Sequence, residues 1–191
     1  MRIIGGSARG RRLFAPPGEN TRPTADRVRE ALFNILAARL DGARVLDLFG
    51  GSGALALEAL SRGAACAVIG DKDPGAVSVI RRNALSVLGE AELPRVKIVC
   101  RDYRALLASL AEPFDLVFLD PPYRMQEAYG NAMAQMQQRN LLAPDARIVA
   151  EMAAGADGGS LAVETAGVAA DGVSVEITAA DGAPDDPPDT Q

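Results

Sequence analysis

The sequence predicts an α/β protein: a mostly parallel, doubly wound sheet with an antiparallel hairpin at its C-terminal edge and a small basic arm at its N-terminus. Three observations lead there. Short apolar runs alternate with helical stretches long enough to cross from one parallel strand to the next. The first such run ends in a glycine-rich turn that opens a helix. The chain has 191 residues, 48% of them hydrophobic, which suits one domain with a sizeable core.

The elements follow in order. Arg2 to Ile4 and Arg12 to Phe14 are short extended pieces broken by Gly5-Gly6, Gly10 and Pro16-Pro17, a pattern for a hairpin or arm. From Thr24, a capping residue, Val28, Ala31, Leu32, Ile35, Leu36 and Leu40 follow helical spacing until Gly42 ends it. Strands are then predicted at Arg44 to Phe49, Ala65 to Gly70, Val96 to Cys100, Phe114 to Leu119 and Arg147 to Glu151. Helices are expected between them at Ser52 to Arg62, Pro74 to Leu88, Ala105 to Leu110 and Glu127 to Asn140. Ser160 to Glu164 and Val173 to Thr178 have no convincing helix between them and fit an antiparallel edge hairpin. This reading divides the chain into an arm (1–23), one domain (24–180) and a disordered Pro- and Asp-rich tail (181–191).

Composition excludes several classes of function. With no histidine, Ser-His-Asp hydrolysis, Cys-His proteolysis and the usual zinc sites are out, so no metal is expected. Two cysteines, Cys66 and Cys100, make no disulfide framework, and no signal-peptide core or membrane-length apolar run is present. The expected setting is the cytoplasm. The net charge of −5 hides an asymmetry: residues 1–29 carry seven arginines against Glu19 and Asp26, whereas residues 151–191 carry nine acids and no base. A basic arm on a near-neutral body suits contact with a polyanion.

The turn Asp47-Leu48-Phe49-Gly50-Gly51-Ser52-Gly53-Ala54 lets the backbone approach a ligand, and the helix that follows favours polar or anionic groups at its N-terminus. Gly51 to Ala56 also satisfies a loose dinucleotide fingerprint. Asp71 closes the second strand, where a carboxylate can accept hydrogen bonds from a ribose diol. That placement indicates a nucleoside ligand without choosing between NAD and S-adenosylmethionine. Asp73 is a nearby substitute with an equally good role as helix cap. Asp47 before the glycines favours the methyl donor, because a nicotinamide site is usually apolar there. Asp102, after the third strand, is a candidate adenine contact or simply a loop residue.

Asp120-Pro121-Pro122-Tyr123 ends the apolar strand Phe114 to Leu119, and here the chain resembles class I methyltransferases that act on planar exocyclic nitrogens. The lone pair of such an amine is delocalised into its ring. The Asp120 carboxylate and the Pro121 carbonyl can accept its hydrogens and favour a pyramidal nitrogen, an interaction strongest in the transition state. Pro122 helps fix the carbonyl's direction, and Tyr123 offers a face to stack a base.

The likeness extends to Met1-Arg2-Ile3-Ile4-Gly5-Gly6, Arg9-Gly10-Arg11-Arg12-Leu13, Arg22-Pro23-Thr24-Ala25-Asp26-Arg27-Val28-Arg29 and Glu58-Ala59-Leu60-Ser61-Arg62-Gly63-Ala64. These segments, with the glycine turn, are similar to the bacterial 16S-type ribosomal RNA guanine-N2 methyltransferase family, from residue 1 to about Glu151. The resemblance implies a Rossmann-like class I methyltransferase fold and S-adenosylmethionine as cofactor. It further implies a guanine of small-subunit ribosomal RNA as substrate, in an assembled or assembling particle. The donor residues it implies are Asp47, Phe49, Gly50, Gly51, Gly53, Asp71, Asp102 and Asp120, and the catalytic set is Asp120 to Tyr123. Arg9, Arg11, Arg12, Arg22 and Arg29 are its RNA-binding candidates. One stretch departs from the pattern: where the family ends in a strand with tyrosine and arginine, this chain has Gly172 to Thr178 and an acidic tail. The rival readings are DNA adenine-N6 or protein glutamine methylation, a nicotinamide-dependent oxidoreductase, and a non-catalytic RNA-binding assembly factor.

Overall fold

The computed structural model describes residues 1–16, 23–121, 125, 127–152, 160–166 and 175–178. Among the described residues seven strands form one sheet in the order β3-β2-β1-β4-β5-β6-β7. They are β1 (Arg44–Asp47), β2 (Cys66–Asp71), β3 (Val96–Cys100), β4 (Phe114–Leu119), β5 (Leu142–Met152), β6 (Ser160–Ala166) and β7 (Val175–Thr178). The first five pair in parallel, and β6 and β7 extend the edge as antiparallel strands. The predicted doubly wound sheet with an antiparallel C-terminal edge is the observed one. The tail predicted at 181–191 lies outside the described residues.

Among the described residues five α-helices cover the sheet: α1 (Pro23–Ile35), α2 (Ala54–Ser61), α3 (Pro74–Glu92), α4 (Tyr103–Ser109) and α5 (Glu127–Gln138). One apolar cluster joins α1, α2, α3 and the arm to the sheet, through residues such as Ile3, Leu13, Leu32, Phe33, Leu57 and Ile80. A second joins α4 and α5 to the sheet through Leu106, Leu107, Ala132, Met136 and Val117. β1 and β4 sit in the middle of the sheet and are buried along most of their length, which is why their sequences read as continuous apolar runs.

Three expectations are corrected. Ile35, expected on the apolar stripe of α1, is 49% exposed. Leu32, Phe33 and Leu36 take the core-facing side, and Ile35 falls on its flank. α4 begins at Tyr103 rather than Ala105, because Asp102 caps it by accepting the Arg104 N–H at 2.9 Å. β5 begins at Leu142, although its unbroken pairing with β4 starts at Arg147, after a register shift. Pro144 and Asp145 interrupt the apolar stretch there, so strand propensity alone does not reveal its first part.

The arm is a small closed loop. Arg2 and Arg12 form an antiparallel bridge, the Ile3 N–H donates to the Arg11 carbonyl at 2.9 Å, and the Leu13 N–H donates to that of Met1 at 3.1 Å. Among the described residues no helix is long and apolar enough to cross a membrane.

Candidate functional site

In this sheet the chain turns to opposite sides after β1 and after β3: β1 leads outward to β2 and β3, and β4 returns to the other flank of β1. A crevice opens at the carboxyl ends of strands on either side of such a reversal, and ligands of open α/β sheets bind there. The glycine turn leaves β1 at this point, and Asp120 leaves β4 there.

The turn is held tightly. The Gly50 N–H donates to the Gly70 carbonyl at 2.8 Å, and the Gly53 N–H to that of Gly50 at 2.6 Å. A Cβ on Gly50 would lie 2.5 Å from Cγ2 of Ile69 and 2.9 Å from Cδ1 of Ile80, so only glycine lets the turn approach β2 and α3 this closely. Gly51 and Gly53 take positive φ, the latter as the residue before α2. Phe49 is half-buried and packs against Tyr103, with ring centroids 5.4 Å apart.

Strand register places the four predicted carboxylates along one edge. Asp47 is level with Ile69 of β2 and Phe118 of β4, so Asp71 and Asp120 each stand two residues beyond it on the flanking strands. Asp71 is level with Cys100, and Asp102 stands two residues further on. Neighbouring strands are about 4.8 Å apart, which puts Asp71 and Asp120 on either side of the glycine turn with roughly two such spacings between their strands.

The environments of these carboxylates differ. Asp47 is 2% exposed, and burial pushes its carboxyl up from 3.8 to about 7, with the charge of Asp71 adding in the same direction. Backbone N–H groups of Phe49 and Ala56 oppose that rise. Asp71 is partly exposed and accepts the Gly51 N–H at 2.9 Å through one oxygen and the Asp73 N–H at 2.8 Å through the other. A carboxylate has about four acceptor positions, so two are left for a pair of ligand hydroxyls. Those free acceptor positions fit a ribose diol. Asp73 takes the capping role, accepting the Gly75 N–H at 2.9 Å. Asp102 caps α4 and is exposed. Asp120 is exposed and Pro121 half-buried at the mouth of the crevice. Pro122 and Tyr123 lie outside the described residues, as does Arg22.

The predicted RNA-contact arginines separate into two kinds. Arg9, Arg11 and Arg12 are exposed on the arm. Arg29 is a correction: it is 6% exposed, bonds the Arg2 carbonyl, and pairs with Asp26 at 3.0 Å. Its guanidinium pins the arm to α1 and is too deeply buried to meet RNA. Burial pulls its pKa below the usual arginine value, against the pull of Asp26.

Three buried polar residues to which the sequence reading gives no role complete the arm's attachment. Glu58, wholly buried, accepts the Ile4 and Gly5 N–H groups and the Arg62 Nε–H, each at 2.7 Å. The Ser61 hydroxyl donates to the Gly5 carbonyl at 2.7 Å and accepts the Ala8 N–H at 2.9 Å. Gly6 sits so close that a Cβ would fall 1.8 Å from the Ser61 carbonyl oxygen. Asn83 accepts the Phe14 N–H and donates to the Phe14 carbonyl, both at 2.9 Å, and donates to Ser52 of the glycine turn at 2.8 Å. A signal for them is present in the chain: a lone acid in the apolar helix ALALEALS, and a polar residue on the buried face of α3 set by Ala76, Ile80 and Ala84.

Comparison with known proteins agrees with this geometry. The family described as "Conserved hypothetical protein 95" matches residues 1–159. A candidate rRNA methyltransferase of Bacillus subtilis (strain 168), YlbH, is 41% identical over 155 residues, covering 79% of this chain and 82% of that protein. The ribosomal RNA small subunit methyltransferase D of Escherichia coli (strain K12) is 44% identical over 124 residues, 65% of this chain and 61% of the relative. The structure of an Escherichia coli candidate methyltransferase, yhhF, superposes with a TM-score of 0.69 at 40% identity, over 79% of this chain and 81% of that one. The chain belongs to this family, and its fold is the Rossmann-like class I methyltransferase fold.

Proposed function

We propose that this family member uses S-adenosylmethionine to methylate the exocyclic N2 of a guanine in small-subunit ribosomal RNA, within an assembled or assembling particle in the cytoplasm. The observation that carries the reading is the register: Asp71 and Asp120 flank the glycine turn at the point where the sheet's connections reverse. Names carried by the relatives support the RNA, and the Asp120-Pro121-Pro122-Tyr123 motif supports the amine. S-adenosylmethionine, when bound, supplies an electrophilic methyl group on sulfur.

The chain's own residues do the rest. Asp71 accepts from the ribose hydroxyls, while Gly50, Gly51 and Gly53 bring the backbone alongside the ligand and Phe49 contributes an apolar wall. Asp47 supports the turn from beneath, and Asp102 keeps acceptor capacity beyond its capping bond for the adenine. The target guanine leaves its stack to enter the crevice, where Tyr123 stacks on it. Asp120 and the Pro121 carbonyl accept the two N2 hydrogens and aim the nitrogen lone pair at the methyl carbon. With S-adenosylmethionine held by Asp71, the glycine turn and Phe49, its methyl group would pass from sulfur to the nitrogen that Asp120 and the Pro121 carbonyl position, and that nitrogen would shed one proton to water. Holding both reactants in line contributes several kcal/mol, on the scale of oriented intramolecular reactions.

The test is to incubate the protein and donor with small-subunit ribosomal RNA, free and in particles, and analyse the nucleosides by mass spectrometry. N2-methylguanosine is expected. Methylated adenine, or no methylated nucleoside from either substrate, would refute the assignment.

A further inference from the structure

We propose that Phe14 and Arg82 form a stacking platform for an unpaired RNA base, where the arm meets the outer side of α3; the inference rests on the RNA-methylating reading above. The Arg82 guanidinium carbon lies 3.4 Å from the centre of the Phe14 ring. That separation is the spacing of two stacked planes, so the guanidinium is in direct contact with one face of the ring. Arg82 is exposed, and Phe14 keeps 43% of its surface in solvent.

Docking of the arm does not require this exposure. Leu13, 7% exposed, supplies the apolar anchor, and Asn83 holds the Phe14 backbone through both of its polar groups. With Leu13 turned inward, its neighbours Arg12 and Phe14 stand together on the outward side, both exposed. One turn along α3 from Arg82, Leu85 is 47% exposed and widens the apolar floor. Arg81 is exposed beside it, and no carboxylate among the described residues pairs with Arg81 or Arg82.

The chemistry selects a single-stranded nucleotide. Arginine and aromatic faces are what unpaired bases stack on, and the guanidinium edge and nearby arginines answer the phosphates. An acidic protein surface would use the charge but leave the ring without a partner. Duplex RNA would offer phosphates but no free base face. Asn83, which holds the Phe14 backbone, also bonds Ser52, so the segment that carries Phe14 is tied to the glycine turn.

The test measures binding of the full chain to a single-stranded oligoribonucleotide and to a blunt RNA duplex of the same length, by fluorescence anisotropy. Arg82→Gln and Phe14→Leu are each expected to weaken single-strand binding roughly tenfold, the scale for removing one stacked base. The double variant should bind only slightly more weakly than either, since both act through one stack. Phe14→Trp should bind as the parent does, and duplex binding should change far less than single-strand binding. Arg82→Gln alters an exposed side chain, so its result does not depend on whether Phe14→Leu folds. Unchanged single-strand affinity in Arg82→Gln, or an equal loss on duplex, overturns the platform. Methylation of small-subunit RNA by the parent protein is measured alongside. Normal methylation with an unaffected Arg82→Gln refutes only the platform, whereas platform-dependent binding without methylguanosine refutes only the enzymatic reading.

Discussion

In the glycine turn, Asp71 reaches Gly51 across 20 residues of chain, and Asp73 caps α3 at a separation of two. In the arm, Glu58 reaches Ile4 and Gly5 across 54 and 53 residues, and Asn83 reaches Phe14 across 69. These two bonds on the donor side of the crevice thus lie between β1 and the first turn of α3. The side that would carry RNA is fastened by buried polar groups that meet their partners only once the fold has closed. A region of the first kind tolerates removal of one bond, because its geometry is also set by strand pairing. A region of the second kind has few substitutes for each clamp.

The comparison can be broken in several ways, and the largest effect is expected at Glu58. Glu58→Ala leaves the Arg62 guanidinium and two backbone N–H groups without their acceptor, and should destabilise by about 3–5 kcal/mol, as for a broken buried ion pair. Urea unfolding gives the size, and amide exchange over Ile3 to Leu13 shows whether the arm is released. An arm that stays protected in this variant would remove the contrast.

Next comes the acceptor side of the chemistry. Asp120→Ala should lower turnover on the order of 10²–10³-fold, the range for removing one group that stabilises a transition state. Calorimetry with the demethylated donor product should find its affinity within a few-fold of the parent. Retained turnover would mean that Asp120 does not hold the amine.

Asp47 sharpens the donor side. Its folded-state carboxyl titrates at about 7 rather than 3.8, so the folded chain holds a proton there that the unfolded chain gives up. The stability this contributes is fully present below pH 3.8 and is lost as pH rises through about 7. The free energy of unfolding should fall across that window with a slope of up to about 1.4 kcal/mol per pH unit from this group. In Asp47→Asn that component of the slope should vanish, and a slope unchanged from the parent would contradict the assignment.

Asp71→Ala should weaken donor binding by about 1.5–3 kcal/mol, the range for hydrogen bonds to a charged acceptor, while leaving the β1 and β2 pairing intact. Calorimetry and a thermal melt together separate the two. The smallest effect is on the arm's rim. Replacing Arg9, Arg11 and Arg12 with alanine should flatten the log-log salt dependence of RNA binding by about 0.7–0.9 for each phosphate that is no longer neutralised, without altering donor affinity. These side chains project from the loop, whereas Asn83, which touches the glycine turn, is untouched.

Much of the donor side is legible in the sequence because its signals are local. The glycines, the acid closing β2 and the Asp120-Pro121 pair each follow an apolar strand, and parallel pairing then aligns strand ends automatically. The arm is legible as a basic hairpin but not as a clamped one. Arg29 carries the same charge as Arg9 and reads as having the same task, since charge in a sequence does not say which side chain will be buried. Glu58 and Asn83 break the apolar pattern of their helices, yet a polar residue on a buried face names no partner until a second segment arrives.

By itself, then, the sequence determined the alternation of strands and helices, the glycine turn and the four acids that end up along one sheet edge. Periodicity and turn chemistry act over a few residues and are written in the chain directly. Tertiary structure alone decided that Glu58, Ser61 and Asn83 hold the arm, that Arg29 is buried, and that Arg82 lies over the Phe14 ring. Each of these contacts joins segments far apart in the chain, and a buried polar group is stabilised only where the fold supplies its hydrogen-bonding partner.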